Sequence, residues 1–198
     1  MKKRVYFDKF GEMKFISHLD LLRFFDRLLK KSQIPVKYSQ GFHPRPKMSF
    51  GSPISLGTEA YNELMDFELE TPMSNEEVFD RLNNSSNVVG FRVNKVEDVI
   101  GKSSIMEEYT IMVYEIESEE EIIIKLETLL NQEEIVEVKE KKGKVTTRNL
   151  KERIKSFRRE GNMIEMEIIN TSPNSYLDLA GIEQQDVKIK RLGYKTNN

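Results

Sequence analysis

The densest group of residues suited to ligand chemistry is KYSQGFHPRPKMSFGSPISLG, residues 37–57. Lys37, Arg45 and Lys47 supply cations there, and Tyr38, Phe42 and Phe50 supply rings. Gly41, Gly51 and Gly57 permit close backbone approach, while Pro44 and Pro46 each fix a φ angle and stiffen the loop. A rigid loop of this kind suits unstacked nucleotides, because rings stack on bases while Lys and Arg meet phosphates. Tyr38 and Phe42 are the expected stacking surfaces, and Phe50 is expected to enter the core. Upstream, Arg23 and Arg27 stand four residues apart, a spacing that shares one helical face. Arg23, Arg27, Arg45 and Lys47 are therefore predicted to line one groove, with Phe42 or Tyr38 at its wall.

His18 and His43 are the only histidines, and so the only side chains whose ordinary pKa lies near neutrality. Brought together, they could form an acid–base pair acting on a ribose-phosphate backbone. This makes a metal-independent endoribonuclease the alternative to a non-catalytic binding role. His18 also reads as a structural residue at a helix start, where the helix dipole disfavours its charged form. Ser17, His18 and Asp20 lie close in sequence, but a nucleophilic triad is recognised by geometry rather than proximity along the chain.

A second basic cluster, KEKKGKVTTRNLKERIKSFRR, spans residues 139–159 and holds ten Lys or Arg against two Glu. If residues 148–158 are helical, Arg148, Lys151, Lys155 and Arg158 share one face as a second phosphate track, with Leu150 and Ile154 pointing inward. Lys188, Lys190 and Arg191 add charges near the end. The acidic run Glu117–Glu121 reads as a solvated helix start favoured by the dipole. The sequence carries no P-loop, dinucleotide fingerprint or paired-carboxylate motif. Cysteine is absent, which excludes disulfides, thiolate catalysis, zinc knuckles and an iron–sulfur cluster held by thiolates of this sequence. With two histidines a histidine-rich metal centre is not expected either, and no cofactor or metal is assigned.

The net charge of −2 conceals segregation. Residues 1–50 carry 12 basic and 4 acidic side chains, residues 51–135 carry 5 and 20, and residues 136–198 carry 14 and 9. Two basic regions flanking an acidic one could converge on one polyanion. The acidic middle could equally dock a basic protein, which makes a protein–protein adaptor the third reading. No run of 18 apolar residues and no apolar stretch after the charged start occurs, so neither a membrane span nor a signal peptide is expected, and the composition reads as cytoplasmic.

The elements that must position these residues follow from periodicity. Residues 2–8 read as a strand, and a helix starts at Ser17 with Asp20 three residues on, a variant capping box. Leu21, Leu22, Phe25, Leu28 and Leu29 form its buried stripe. Short strands are expected at 48–50 and 64–70, the latter with Asp66, Glu68 and Glu70 on an acidic outer face. A second helix is expected over 74–82, capped by Ser74, and a strand over 88–99. The order repeats as strand 109–116, helix 119–131, a hairpin at 135–146, strand 163–169, helix 175–180 and strand 187–192. The predicted fold is α+β, built of tandem ferredoxin-like β-α-β-β-α-β halves. These are residues 1–100, with the SQGFHPRPK loop, and residues 101–198, with the basic 139–159 segment; Gly101–Ser104 serves as linker.

The combination FISHLDLLRFFDRLLKKSQIPVKYSQGFHPRPKMSFGSPISLGTEA resembles the radical-SAM-linked family of unknown function. In that family a SHLDLxR helix precedes YSQGFxPxPxxSFGxPLxLG, and the ending DVKIKRLGY is similar too. The resemblance covers essentially the whole chain and is strongest over residues 15–60. Some members are fused behind a radical-SAM, cobalamin-binding enzyme; this sequence resembles the stand-alone form. The resemblance implies a partner of a separately encoded radical-SAM enzyme that modifies RNA or a ribosomal component. Members with Asn in place of His43 argue against catalysis by that histidine. The tandem layout with SHLD also resembles, more distantly, the RNA-processing endoribonucleases of CRISPR systems. The leading expectation is a non-catalytic, RNA-binding, substrate-positioning protein that uses Arg23, Arg27, Lys37, Tyr38, Phe42, Arg45, Lys47, Arg148, Lys151, Lys155 and Arg158.

Overall fold

The computed structural model describes residues 1–101, 104–141 and 143–196. The fold is α+β, and the chain divides into two compact units, Met1–Tyr109 and Thr110–Asn198. Of the expected linker, Lys102 and Ser103 lie outside the described residues, as does Lys142 of the second basic cluster.

The first unit runs β1 (Lys2–Lys9), α1 (His18–Lys31), β2 (Met48–Phe50), β3 (Glu59–Glu68), α2 (Asn75–Ser85), β4 (Phe91–Asp98) and the one-turn α3 (Ile105–Glu108). Its strands lie in the order β4-β1-β3-β2, every neighbouring pair antiparallel. The expected cap forms: Ser17 Oγ accepts the Asp20 N–H at 3.1 Å, and Ser17 donates to the Asp20 carboxylate at 2.7 Å. Leu21, Phe25, Leu28 and Leu29 are the buried stripe of α1. The helix stops at Lys31, before Pro35, where Ser32 donates its N–H to the Leu28 carbonyl and Gln33 turns to φ +52°. Phe7 and Val5 project from β1 into this stripe; the Phe25 ring lies 4.8 Å from Phe7 and 5.3 Å from Phe50. Burying a ring such as Phe25 contributes about 1.5–3 kcal/mol, and the aromatic cluster fixes where α1 lies over the strands.

The opposite face of β1 and β3 differs from the expected acidic outer surface. Asp66 has no exposed area. Arg4, its cross-strand neighbour, donates to both its oxygens at 2.8 and 3.0 Å, and Lys2 pairs with it at 2.9 Å. Arg4 also donates to Glu108 of α3 and lies 5.0 Å over the Tyr109 ring. Burial disfavours the Arg4 charge, but Asp66 and Glu108 outweigh it and hold the guanidinium pKa above its ordinary value. The alternation of β3 was legible; that its Asp66 meets a buried arginine 62 residues away was not.

The second unit runs β5 (Ile111–Glu117), α4 (Glu120–Leu130), β6 (Val136–Lys141), β7 (Lys144–Asn149), β8 (Ile154–Glu160), β9 (Met163–Ile169), α5 (Pro173–Ala180) and β10 (Lys188–Lys195). Its main strands lie in the order β10-β5-β9-β8, again antiparallel, and β6 pairs with β7 as a separate hairpin. Ile123, Leu126 and Leu130 of α4 and Tyr176 and Leu177 of α5 pack on Ile116, Ile164, Met166 and Ile168.

Residues 148–158 are not a helix. They comprise the end of β7, a 3-10 turn at Lys151–Arg153 and most of β8. The expected helical face of Arg148, Lys151, Lys155 and Arg158 is therefore spread over three elements. A bulge shifts the β8–β9 register between Ile154, opposite Ile168, and Ser156, opposite Glu167. The extra residue puts Ile154 and Phe157 on one strand face at a spacing of three.

Candidate functional site

An open groove of about 460 Å³ lies between α1 and the loop leading into β2, lined by Leu19, Leu22, Arg23, Asp26, His43, Pro44, Arg45, Pro46 and Met48. Both walls follow from local sequence. On α1, the stripe at 21, 25, 28 and 29 faces the core, which leaves Leu19, Arg23 and Asp26 on another side. The loop is a narrow hairpin. Tyr38 bridges Pro46, Ser39 donates its N–H to the Arg45 carbonyl at 2.8 Å, and Lys47 donates to the Lys37 carbonyl at 2.8 Å. The Arg45 N–H is held by Ser39 Oγ at 3.1 Å. Gly41, at φ +135°, turns the tip in a conformation that side chains rarely adopt. The tip carries Phe42, fully exposed, beside His43.

Of the four cations predicted to share a groove, Arg23 and Arg45 do so. Arg27 lines a separate hollow of about 300 Å³ with Phe24, Leu28 and Lys31. One further turn of α1 carries it past the loop. Lys47 leaves the groove for a reason of register. The loop strand continues into β2, where Met48 stands opposite Phe67, so Lys47 reaches Glu68. Its Nζ lies 3.9 Å from the Glu68 carboxylate and that of Lys37 lies 3.4 Å from it. Neither ring expected at the groove's wall lines it: Tyr38 is half-buried within the loop hairpin, and Phe42 stands at the tip.

The groove cations are lightly held. Among the described residues Arg45 makes no ion pair, and Arg23 pairs with Asp20 at 3.1 Å with both side chains more than half exposed. Such a surface pair is worth at most about 1 kcal/mol. Ser17 and Arg23 hold the Asp20 carboxyl below its ordinary pKa. Asp26 is the groove's carboxylate; one oxygen pairs with Lys30 at 2.9 Å, and the other is buried without a hydrogen-bond partner among the described residues. The lining therefore combines two guanidiniums, an imidazole and an apolar floor, with one partly neutralised acid.

The two histidines do not line the same cavity. His43 is in the groove, whereas His18 packs edge-on against Phe50, ring centres 6.0 Å apart, and lines a void of about 10 Å³ with Leu21, Ile54 and Glu63. Among the described residues no cluster of three His, Asp or Glu could hold a metal ion. No helix among the described residues is long and apolar enough to cross a membrane.

The second basic cluster is dispersed. Lys151 donates to the Leu130 carbonyl at 2.6 Å, capping the end of α4. Arg158 lies opposite Glu165 and pairs with it at 3.4 Å. Lys155 is exposed at the bulge. Arg148 projects from the β6–β7 hairpin. These four do not form one track, because the strand puts them on different faces and two serve the fold.

Residues 2–178 match a family described as "Uncharacterized protein conserved in bacteria (DUF2344)". The chain belongs to this family. The match takes in the groove, its loop, the hairpin and most of α5. No curated protein matches the chain.

Proposed function

We propose that this family member is a non-catalytic RNA-binding protein that positions its substrate for a separate radical-SAM enzyme in RNA or ribosome modification. The observation that carries the reading is the groove between α1 and the loop. It offers Arg23 and Arg45 with little internal neutralisation, and the loop that supplies Arg45 carries a fully exposed Phe42 at its tip. An exposed ring on the loop that lines a groove with guanidiniums suits single-stranded RNA: a surface for one base and cations for the flanking phosphates. The enzyme partner rests on the SHLDLLR and YSQGFHPRPKMSFG resemblance, and a cytoplasmic location accompanies it. The β-α-β-β-α-β order and the 4-1-3-2 strand arrangement within each unit support reading the units as ferredoxin-like halves, with β6–β7 inserted in the second. The separation of His18 and His43 into different cavities disfavours the endoribonuclease alternative.

The test is the affinity of the pure protein for a short oligouridine. Arg45→Ala is expected to weaken binding about fivefold at 0.1 M salt, the effect of one phosphate contact on a single strand. Phe42→Ala is expected to cost about 1–3 kcal/mol through lost stacking. Arg27→Ala, outside the groove, is expected to leave affinity nearly unchanged. Equal effects of Arg27 and Arg45 would refute the groove.

A further inference from the structure

We infer that the β6–β7 hairpin is a second nucleic-acid contact surface, its basic face binding the RNA phosphate backbone; this rests on the RNA-binding reading above. Antiparallel partners share a face, and the register assigns every residue. Glu137, Lys139 and Lys141 stand with Arg148, Thr146 and Lys144, while Val136, Val138 and Glu140 stand with Asn149, Thr147 and Val145. One face thus gathers four cations and the other three valines.

Only the root of the hairpin is built into the unit. Ile135, Glu137 and Leu150 are buried. Asn149 Oδ1 accepts from the Ile135 and Lys151 N–H groups, and Leu150 N–H donates to the Ile135 carbonyl at 2.7 Å. Glu137 pairs with Lys139 at 2.7 Å, so the face's one acid is matched at the root. From Val138 to the tip and back to Arg148 every described residue is exposed. Among the described residues Lys141 and Lys144 make no ion pair, and Arg148, across from Glu137, interacts with its carboxylate only at longer range. The hairpin is not needed by the strand order of the unit and pairs with no other strand among those described. A two-stranded hairpin alone in water is marginal at best, so an external contact would stabilise it.

Lysines on an exposed hairpin can simply discourage edge-to-edge pairing. That role predicts charge where apolar residues are exposed. Here the cations stand on one face while Val138 and Val145 stay exposed on the other, each 61%. Segregation of cations onto one face is what a polyanion selects. Lys139 and Lys141 project about 6.8 Å apart along a strand, and Arg148 adds a guanidinium fork that matches phosphate geometry.

The experiment measures oligouridine binding by the full chain across a salt series. Three hairpin cations and two groove cations give a slope of log K against log salt of about −3.5, at about 0.7 per contact. The triple variant Lys141→Gln, Lys144→Gln, Arg148→Gln keeps the Lys139–Glu137 pair. It is expected to bring the slope to about −1.4 and weaken binding about 100-fold at 0.1 M salt, with unchanged thermal stability. Val138→Thr with Val145→Thr, on the opposite face, is expected to leave slope and affinity unaltered. A triple variant with the parent slope, beside Arg23→Ala and Arg45→Ala variants that lower it, overturns the hairpin surface and leaves the groove standing. Triple-variant loss of binding to poly-glutamate but not to RNA overturns it in favour of an acidic protein partner. No RNA binding by the unaltered chain removes the RNA reading itself, and this inference with it.

Discussion

Replacing Asp66 by Ala removes the carboxylate at the centre of the β1–β3 ladder, whose side chain is wholly buried. Arg4, only 3% exposed, loses two hydrogen bonds and keeps Glu108, while Lys2 loses its 2.9 Å pairing. Breaking a buried ion pair by removing one partner costs about 3–5 kcal/mol, because the other charge stays desolvated. The first unit ends at Tyr109, and an unfolding entropy of about 2.1 cal/mol/K per residue gives about 0.23 kcal/mol/K for its length. The expected loss is therefore about 13–22 °C in the melting temperature of this unit, read by differential scanning calorimetry. The double variant Arg4→Met, Asp66→Leu replaces the pair with apolar groups and is expected to recover most of that loss. A loss below about 4 °C in the single variant, or a double variant no better than the single, would refute the reasoning. Asp66 also lies two residues before Glu68, which pairs with Lys37 and Lys47 at the base of the loop.

Gly90→Ala would place a Cβ 2.2 Å from the Phe10 carbonyl oxygen at a φ of +89°, and is expected to destabilise by at least about 2 kcal/mol, measured by urea denaturation. Glu137 gives a pH dependence. Burial opposes its charge, but Lys139 and Ser175 outweigh burial and hold its pKa below the ordinary 4.5. Its stabilising contribution is therefore complete above pH 4.5 and is lost as pH falls through the lower folded value. Hydrogen exchange of the Val136–Asn149 amides is expected to lose protection on that acid side before the β5–β9 pair does.

What was legible in the sequence was local. Ser17 with Asp20, Ser74 with Glu77 and the stripe from Leu21 to Leu29 specify their helices within a turn or two, and all form. The hairpin expected at 135–146 forms, though its second strand runs on to Asn149, and the strand at 163–169 follows from alternation. What was not legible depends on register between distant strands. Lys47 meets Glu68 only because β2 pairs with β3, and Asp66 is buried only because Arg4 stands across from it. The basic segment at 148–158 carried a helical spacing of Arg148, Lys151, Lys155 and Arg158 that in fact crosses the end of β7, a 3-10 turn and β8. The basic face of the hairpin was hidden in the same way. Lys139, Lys141, Lys144 and Arg148 align only when the β6–β7 register is known, and helical spacing selected a different set.

The central claim is that RNA lies in the groove between α1 and the loop bearing Phe42. Photocrosslinking of the intact chain to an oligonucleotide containing 4-thiouridine, followed by mass-spectrometric mapping of the adducts, tests it most directly. The account predicts adducts concentrated at Phe42 and His43 and lost in the Arg23→Ala, Arg45→Ala double variant. Adducts that avoid residues 40–46, or that persist unchanged in that double variant, would contradict it.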